Sequence, residues 1–232
     1  MPISMQQTQA MLAQHHRDGD KFAQMMKQSF EGRFGESFWA QWQQWIEPVY
    51  SGQPVVLDLG TGPGMFLNAL QQRTPGVHAI GVECAEYMLS AAVALQPGCE
   101  IVTADLHNPT LPLADNSVDA ALASVVLHEM TQPLRTLQEL HRCLRPGGRF
   151  YIIDWVRAPL EVYLSGQLEQ PDSPFDPNTS LQELDQLFTH FIEHNRFSRE
   201  DLIFMLNRTG FAVLDSTISK EGRLCHLIAE RR

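Results

Sequence analysis

The chain is expected to form an α/β fold: a central, mostly parallel seven-stranded sheet with helices on both faces, closed by a C-terminal antiparallel hairpin. Three observations lead there. From Val55 onward, short Val/Ile/Leu runs alternate with segments long enough for helical crossovers, a rhythm that gives a parallel sheet covered on both faces. A turn carrying Gly60, Gly62 and Gly64 joins the first such run to the first helical segment. Near the C-terminus, "AVLDSTIS" and "RLCHLIAE" alternate with period two around Lys220, Glu221 and Gly222, the spacing of a hairpin. The parallel strands are placed at 55–59, 77–83, 100–103, 118–124 and 148–154.

The 232 residues, 44% of them hydrophobic, suffice for one substantial core with appendages. No uninterrupted apolar run approaches the ~18 residues of a membrane span, and "MPISMQQTQAMLAQHH" has neither the basic start nor the apolar centre of a secretory signal. A cytoplasmic protein without a membrane span is expected. Cys84, Cys99, Cys143 and Cys225 stand far apart with no CxxC pair, which suggests neither a zinc knuckle nor a redox motif. A formal net charge of −10 disfavours nucleic acid and favours a small molecule or a protein as partner. The oligomeric state stays open between monomer and homodimer.

Residues 1–52 read as a helical cap or lid. Trp39, Trp42, Trp45 and Ile46 recur at the spacing of one helix face before Pro48, and this face either packs on the core or reaches a ligand. Residues 53–232 form the main domain. Within it, 157–197 is an insert after the fifth strand: Arg157 to Ser180 is rich in Pro, Ser and Asp, and a helix pattern follows at 181–194. "SREDLIFMLNRTGF" reads as a helix with Ser198 at the N-cap, Asp201 three residues later, and Gly210 at the end.

A glycine turn between strand and helix lets backbone approach a ligand closely. The nicotinamide fingerprint is not met, because Met65 occupies its third small position and the third glycine comes one residue early, at Gly64. The closing antiparallel hairpin is also foreign to the two-halved dinucleotide fold.

"VLDLGTGPG", "GVECAEYMLSAA", "VTADLHNPTLPLADNSVDAALASVVLHEM" and "LRPGGRFYIID", in this order over roughly residues 53–156, resemble the class I S-adenosylmethionine-dependent methyltransferases, in particular the ubiquinone and menaquinone biosynthesis group. The resemblance implies a Rossmann-like methyltransferase fold, S-adenosylmethionine as cofactor, and methyl transfer to a small-molecule acceptor. It also implies cofactor contacts from Asp58, Gly60, Thr61, Gly62, Gly64, Glu83, Cys84, Met88, Asp105, Leu106 and Ser124. The chemistry of the residues agrees. The glycines leave room for the amino-acid end of the cofactor, and Glu83 lies one βαβ step later, where a carboxylate accepts ribose hydroxyls. Asp105 at the next strand end suits the adenine amino group, with Leu106 offering backbone and Met88 an apolar surface. Glu83 is expected to be partly solvated, so that its loss affects cofactor binding more than folding. Plainer readings stand beside these: Asp58 as a turn cap or loop brace, Glu83 and Asp105 as solvated strand-end acids, Met88 as core.

Ligands of open α/β sheets sit at the carboxyl ends of the strands. "SVVLHEM" and "IIDWV" end there, which makes His128 the candidate general base, or else a residue that orients the loop. Glu129, Trp155, Trp39, His190 and His194 are the candidates for the acceptor side. His190 and His194 are four apart, but without an HExxH pattern or a third ligand no metal is expected there. The alternatives are another user or binder of the same cofactor: an aminopropyl-transferring or cofactor-modifying enzyme, a tRNA-modification enzyme, or a non-catalytic regulatory module.

Overall fold

The computed structural model describes residues 4–16, 18–130, 132–159, 161–162, 180–194 and 196–232, without the side chains at 186, 187, 190, 193 and 194. Four helices lead: α1 (Met5–His16), α2 (Gly19–Gln28), α3 (Phe30–Arg33) and α4 (Glu36–Trp45). There follow β1 (Val55–Leu59), α5 (Met65–Arg73), β2 (His78–Glu83), α6 (Glu86–Ser90), β3 (Cys99–Thr103), β4 (Val118–Ser124), α7 (Pro133–Cys143) and β5 (Leu144–Trp155). The chain closes with α8 (Leu181–His194), α9 (Arg199–Arg208), β6 (Phe211–Ser219) and β7 (Leu224–Arg231).

The seven strands lie in the order β3-β2-β1-β4-β5-β7-β6. Pairs among the first five are parallel, and β7 runs antiparallel to both β5 and β6. The order reverses between β1 and β4, so a crevice opens at their carboxyl ends. Strand five starts earlier than expected, because Leu144 already pairs with Val118 before a register irregularity at the Pro146-Gly147-Gly148 turn. The hairpin turn falls on Lys220, Glu221 and Gly222, all with positive φ. Residues 163–179 of the expected insert lie outside the described residues, as do the side chains of His190 and His194. Among the described residues, no helix is long and apolar enough to cross a membrane.

Successive residues of a strand face opposite sides of the sheet. Val56, Ala79, Leu122 and Tyr151 pack with Phe38, Trp42, Phe66 and Leu70 from α4 and α5. Leu57, Leu59 and Val82 share the other face with Leu137, Leu140 and Leu206 from α7 and α9. A smaller cluster of Leu12, Ala23, Cys84, Ala85 and Met88 seats α1 and α2 on the turn after β2. Local signals hold as expected at α9: Ser198 Oγ accepts from Asp201 N at 3.1 Å, and Asp201 Oδ2 accepts from Ser198 N at 2.8 Å. A cap of this kind contributes about 1 kcal/mol.

Candidate functional site

The Gly60–Gly64 turn is pinned to the sheet, with Thr61 N donating to Val82 O at 3.0 Å and Gly64 N to Thr61 O at 3.1 Å. Gly60 has φ +68, and a Cβ there would lie 2.6 Å from Val126 Cγ2, so no other residue fits. Gly64 turns away from the crevice, where a Cβ would meet Ile101 and Leu95; its use is the close packing of α5 rather than ligand contact. Glu83 closes the crevice from the β2 side. Its carboxylate accepts from Gly62 N at 3.0 Å, Cys84 N at 2.7 Å and Ala85 N at 2.8 Å. Burial pushes its carboxyl above the usual range, against the pull of these three hydrogen bonds. Gly60, Thr61, Gly62, Cys84, Met88, Leu106 and Ser124 all line the same space, and Ser124 Oγ is buried there without a hydrogen-bond partner among the described residues.

An adjoining recess holds Asp58, Thr61, Ser124 and Arg33. Burial raises the Asp58 carboxyl to about 7, with Arg33 pulling in the opposite direction. Arg33 itself is lowered by burial, against the raising effect of Asp58. It donates from Nη2 to Met26 O at 3.0 Å, and its Nε is buried without a partner among the described residues. The pair presents one carboxyl and one guanidinium to the space beside the glycine turn, a donor set matched to the ammonium and carboxylate of an amino acid.

Helices α1 and α2 cover the crevice. Thr8 Oγ1 donates to Asp105 Oδ2 at 2.8 Å, and His107 N to Asp105 Oδ1 at 2.8 Å, so Asp105, expected beside an adenine, is held by the cap and lies off the crevice lining. Gln9 Nε2 donates to Cys84 O at 2.9 Å. The His16 ring stacks on Phe22 at 3.7 Å between centroids, with Nδ1 2.5 Å from Tyr87 Oη and Nε2 3.1 Å from Glu129 Oε1.

Beyond the cap lies a second cavity of about 680 Å³. Phe38, Met25, Tyr151, Ile153, Trp155 and Leu224 supply apolar walls. His128 faces it with its Nδ1 2.5 Å from Asp154 Oδ1. Asp154 is fully buried and also accepts from Leu127 N at 2.6 Å, His128 N at 3.2 Å and Trp155 N at 2.8 Å. Burial pulls the His128 imidazole down, but the Asp154 carboxylate outweighs it and the net shift is upward. Trp155 carries the Arg223 and Lys220 cations over its ring at 5.2 and 5.4 Å. Trp39, expected on the acceptor side, instead stacks on Phe66 and under Arg73 and lines neither cavity. Val125, a β-branched residue with φ +59, stands between the two spaces, in a conformation that costs roughly 1–3 kcal/mol.

Residues 57–152 match the family described as a methyltransferase domain. That segment, less than half of the chain, is similar to methyltransferase domains. An uncharacterized methyltransferase of Mycobacterium sp. (strain JLS) is 39% identical over 107 residues, 46% of this chain and 40% of that protein. A demethylmenaquinone methyltransferase of Symbiobacterium thermophilum is 32% identical over 125 residues, 49% of each. The chain thus spans less than half the length of these curated relatives. A solved S-adenosylmethionine-dependent methyltransferase from Mesorhizobium loti shares the fold with a TM-score of 0.60 at 21% identity, over 85% of this chain and 99% of that one.

Motif reading gathers Gly60, Thr61, Gly62, Glu83, Met88, Leu106 and Ser124 at one crevice, with Asp58 in the adjoining recess. It misses Thr8, His16, Arg33 and Tyr87. Thr8, His16 and Arg33 lie on α1 and α3, which carry no motif and act only through where they dock, and Tyr87 lies on α6 within "GVECAEYMLSAA", where the motif marks its neighbour Met88 instead.

Proposed function

We propose that the chain transfers the methyl group of S-adenosylmethionine to a small, largely apolar acceptor. The observation that carries the proposal is the side-by-side arrangement of the glycine-turn crevice and the apolar cavity, which share His16, Phe22, Met26, Arg33, Val125 and Glu129 as walls. The crevice residues fit the cofactor: Glu83 for the ribose hydroxyls, Asp58 for the ammonium, Arg33 for the carboxylate and the unpartnered Ser124 hydroxyl beside the glycine turn. Bound there, the cofactor would supply a methyl group already activated by its sulfonium. The chain then has to align the acceptor and exclude water. Helices α1 and α2 serve as the lid, and His128, oriented by Asp154, takes a proton where the acceptor nucleophile carries one. The name of the Symbiobacterium relative agrees with an apolar acceptor, which the walls of the 680 Å³ cavity would accept.

The test is a pair of thermal shifts followed by turnover. S-adenosylhomocysteine at a hundredfold excess over its dissociation constant should add about 2.7 kcal/mol, roughly 5–10 °C for a chain of this size, and NAD should add nothing. Methyl transfer to phenolic or quinol acceptors from the labelled cofactor should follow. A shift with NAD alone would overturn the cofactor, and binding without transfer to any acceptor would favour a regulatory module.

Asp58 adds a pH signature. With its carboxyl at about 7, most of it is protonated at pH 6 and must lose that proton to pair with an ammonium. The affinity for S-adenosylhomocysteine should therefore rise roughly five- to tenfold from pH 6 to 7.5 and then level. Stability of the unliganded fold runs the other way: the Asp58 contribution is full below the ordinary carboxylate range and is lost as pH rises through about 7. Titration calorimetry on Asp58→Asn should show a flat profile. A wild-type profile without slope would mean that Asp58 only braces the loop.

A further inference from the structure

We infer that His15, His16 and Glu129 form a binding site for one divalent transition-metal ion of the zinc class, at the wall between the crevice and the larger cavity. One ligand atom from each lies within 4.8 Å of those of the other two. His16 Nε2 and Glu129 Oε1 are 3.1 Å apart, close to the ~3.0–3.4 Å that separates two ligands sharing an ion with bonds of about 2.0–2.1 Å. The third donor stands within 4.8 Å of the other two, and a side-chain rotation at the end of α1 would bring it closer.

Two further observations favour an ion over a plain hydrogen bond. Tyr87 Oη, 2.5 Å from His16 Nδ1, can accept the Nδ1 proton, which leaves the Nε2 lone pair facing Glu129. An outer partner on the second ring nitrogen is the usual arrangement for a metal-bound histidine. The stacked Phe22 ring fixes the imidazole plane.

Two imidazoles and one carboxylate suit Zn²⁺ and its neighbours rather than Mg²⁺ or Ca²⁺. Three protein ligands leave a coordination position open. All three residues line the 680 Å³ cavity, so that position faces the space assigned to the acceptor, and an acceptor hydroxyl or thiol would bind there. That last step rests on the methyl-transfer reading; the ion site does not.

The experiment is equilibrium dialysis of the metal-stripped full chain against Zn²⁺ and, separately, Co²⁺, with metal content measured directly. One ion per chain is expected, with the visible absorption of Co²⁺ in a low-symmetry nitrogen and oxygen site. The isosteric Glu129→Gln and the truncation His16→Ala should each weaken binding at least tenfold, and Tyr87→Phe by a smaller factor. His78→Ala, which removes a surface histidine paired with Glu100, should leave it unchanged. Absence of a bound ion in the wild type, or equal binding by wild type, Glu129→Gln and His16→Ala, overturns the site. The S-adenosylhomocysteine thermal shift is recorded on the same metal-stripped chain. Its failure would remove the methyl-transfer reading and leave the ion site standing, and failure of ion binding alone would do the reverse.

Discussion

Asp154→Asn should be the most damaging single substitution outside the apolar core, lowering stability by about 3–5 kcal/mol, the cost of breaking a fully buried charged pair. For a chain of this size that is roughly 6–20 °C in Tm. The reason lies in the number of donors. Oδ2 accepts from Leu127 N and His128 N, while Oδ1 accepts from Trp155 N and lies 2.5 Å from His128 Nδ1. An asparagine offers one oxygen and one NH₂, so wherever the amide points it sets N–H against N–H. With the NH₂ toward His128, the imidazole must accept at Nδ1 and carry its proton on Nε2, which removes it as a base. Methyl transfer to a protic acceptor should then fall by orders of magnitude while S-adenosylhomocysteine still binds. The pH dependence of melting checks the pairing. His128 titrates above its ordinary value because of Asp154, so its charged-pair contribution is complete below the unfolded value of about 6.5 and decays as pH rises through the raised folded value. In Asp154→Asn that slope should vanish. A variant that melts like wild type would mean that the turn after β4 holds itself.

Glu83→Ala should reduce affinity for S-adenosylhomocysteine by about a hundredfold or more, near 3 kcal/mol. It should also lower Tm, although the carboxylate is half-buried at the strand end, because its hydrogen bonds do more than its exposure suggests. Glu83 binds Gly62, Cys84 and Ala85 through their backbone N–H groups, so it ties the glycine turn to the start of α6 before any ligand arrives. Removing it frees both loops and discards the acceptor proposed for the ribose. Glu83→Gln should recover part of the melting temperature, since one amide oxygen remains, and little of the affinity. Unchanged affinity in Glu83→Ala would assign the ribose to another group.

The sheet, the glycine turn, the capped α9 and the closing hairpin were legible because each is written in neighbouring residues: alternation in β6 and β7, Ser198 with Asp201, Gly60 beside β1. The Trp stripe told correctly that one face of α4 is buried, but periodicity does not name the partner. Trp39 and Trp42 face Phe66 and Tyr151 rather than a ligand. The cap was opaque for the same reason. Thr8 meets Asp105 across 97 residues of chain, and His16 meets Tyr87 across 71 and Glu129 across 113. A lone threonine or histidine on a polar, Gln-rich helix carries no local mark of such contacts. Asp105 shows the converse: its motif placed it at the right strand end, and only docking of α1 decided which group it binds.

The wall shared by the two spaces carries a thermodynamic consequence. His16, Phe22, Met26, Arg33, Val125 and Glu129 belong to both, so an occupant on either side fixes rotamers that the other occupant must also meet. The ordering cost of those side chains falls on whichever ligand arrives first and is spared for the second, which is positive heterotropic cooperativity without any change of fold. With cofactor and acceptor as the proposed occupants, reciprocity requires that the factor by which one tightens the other be the same in both directions.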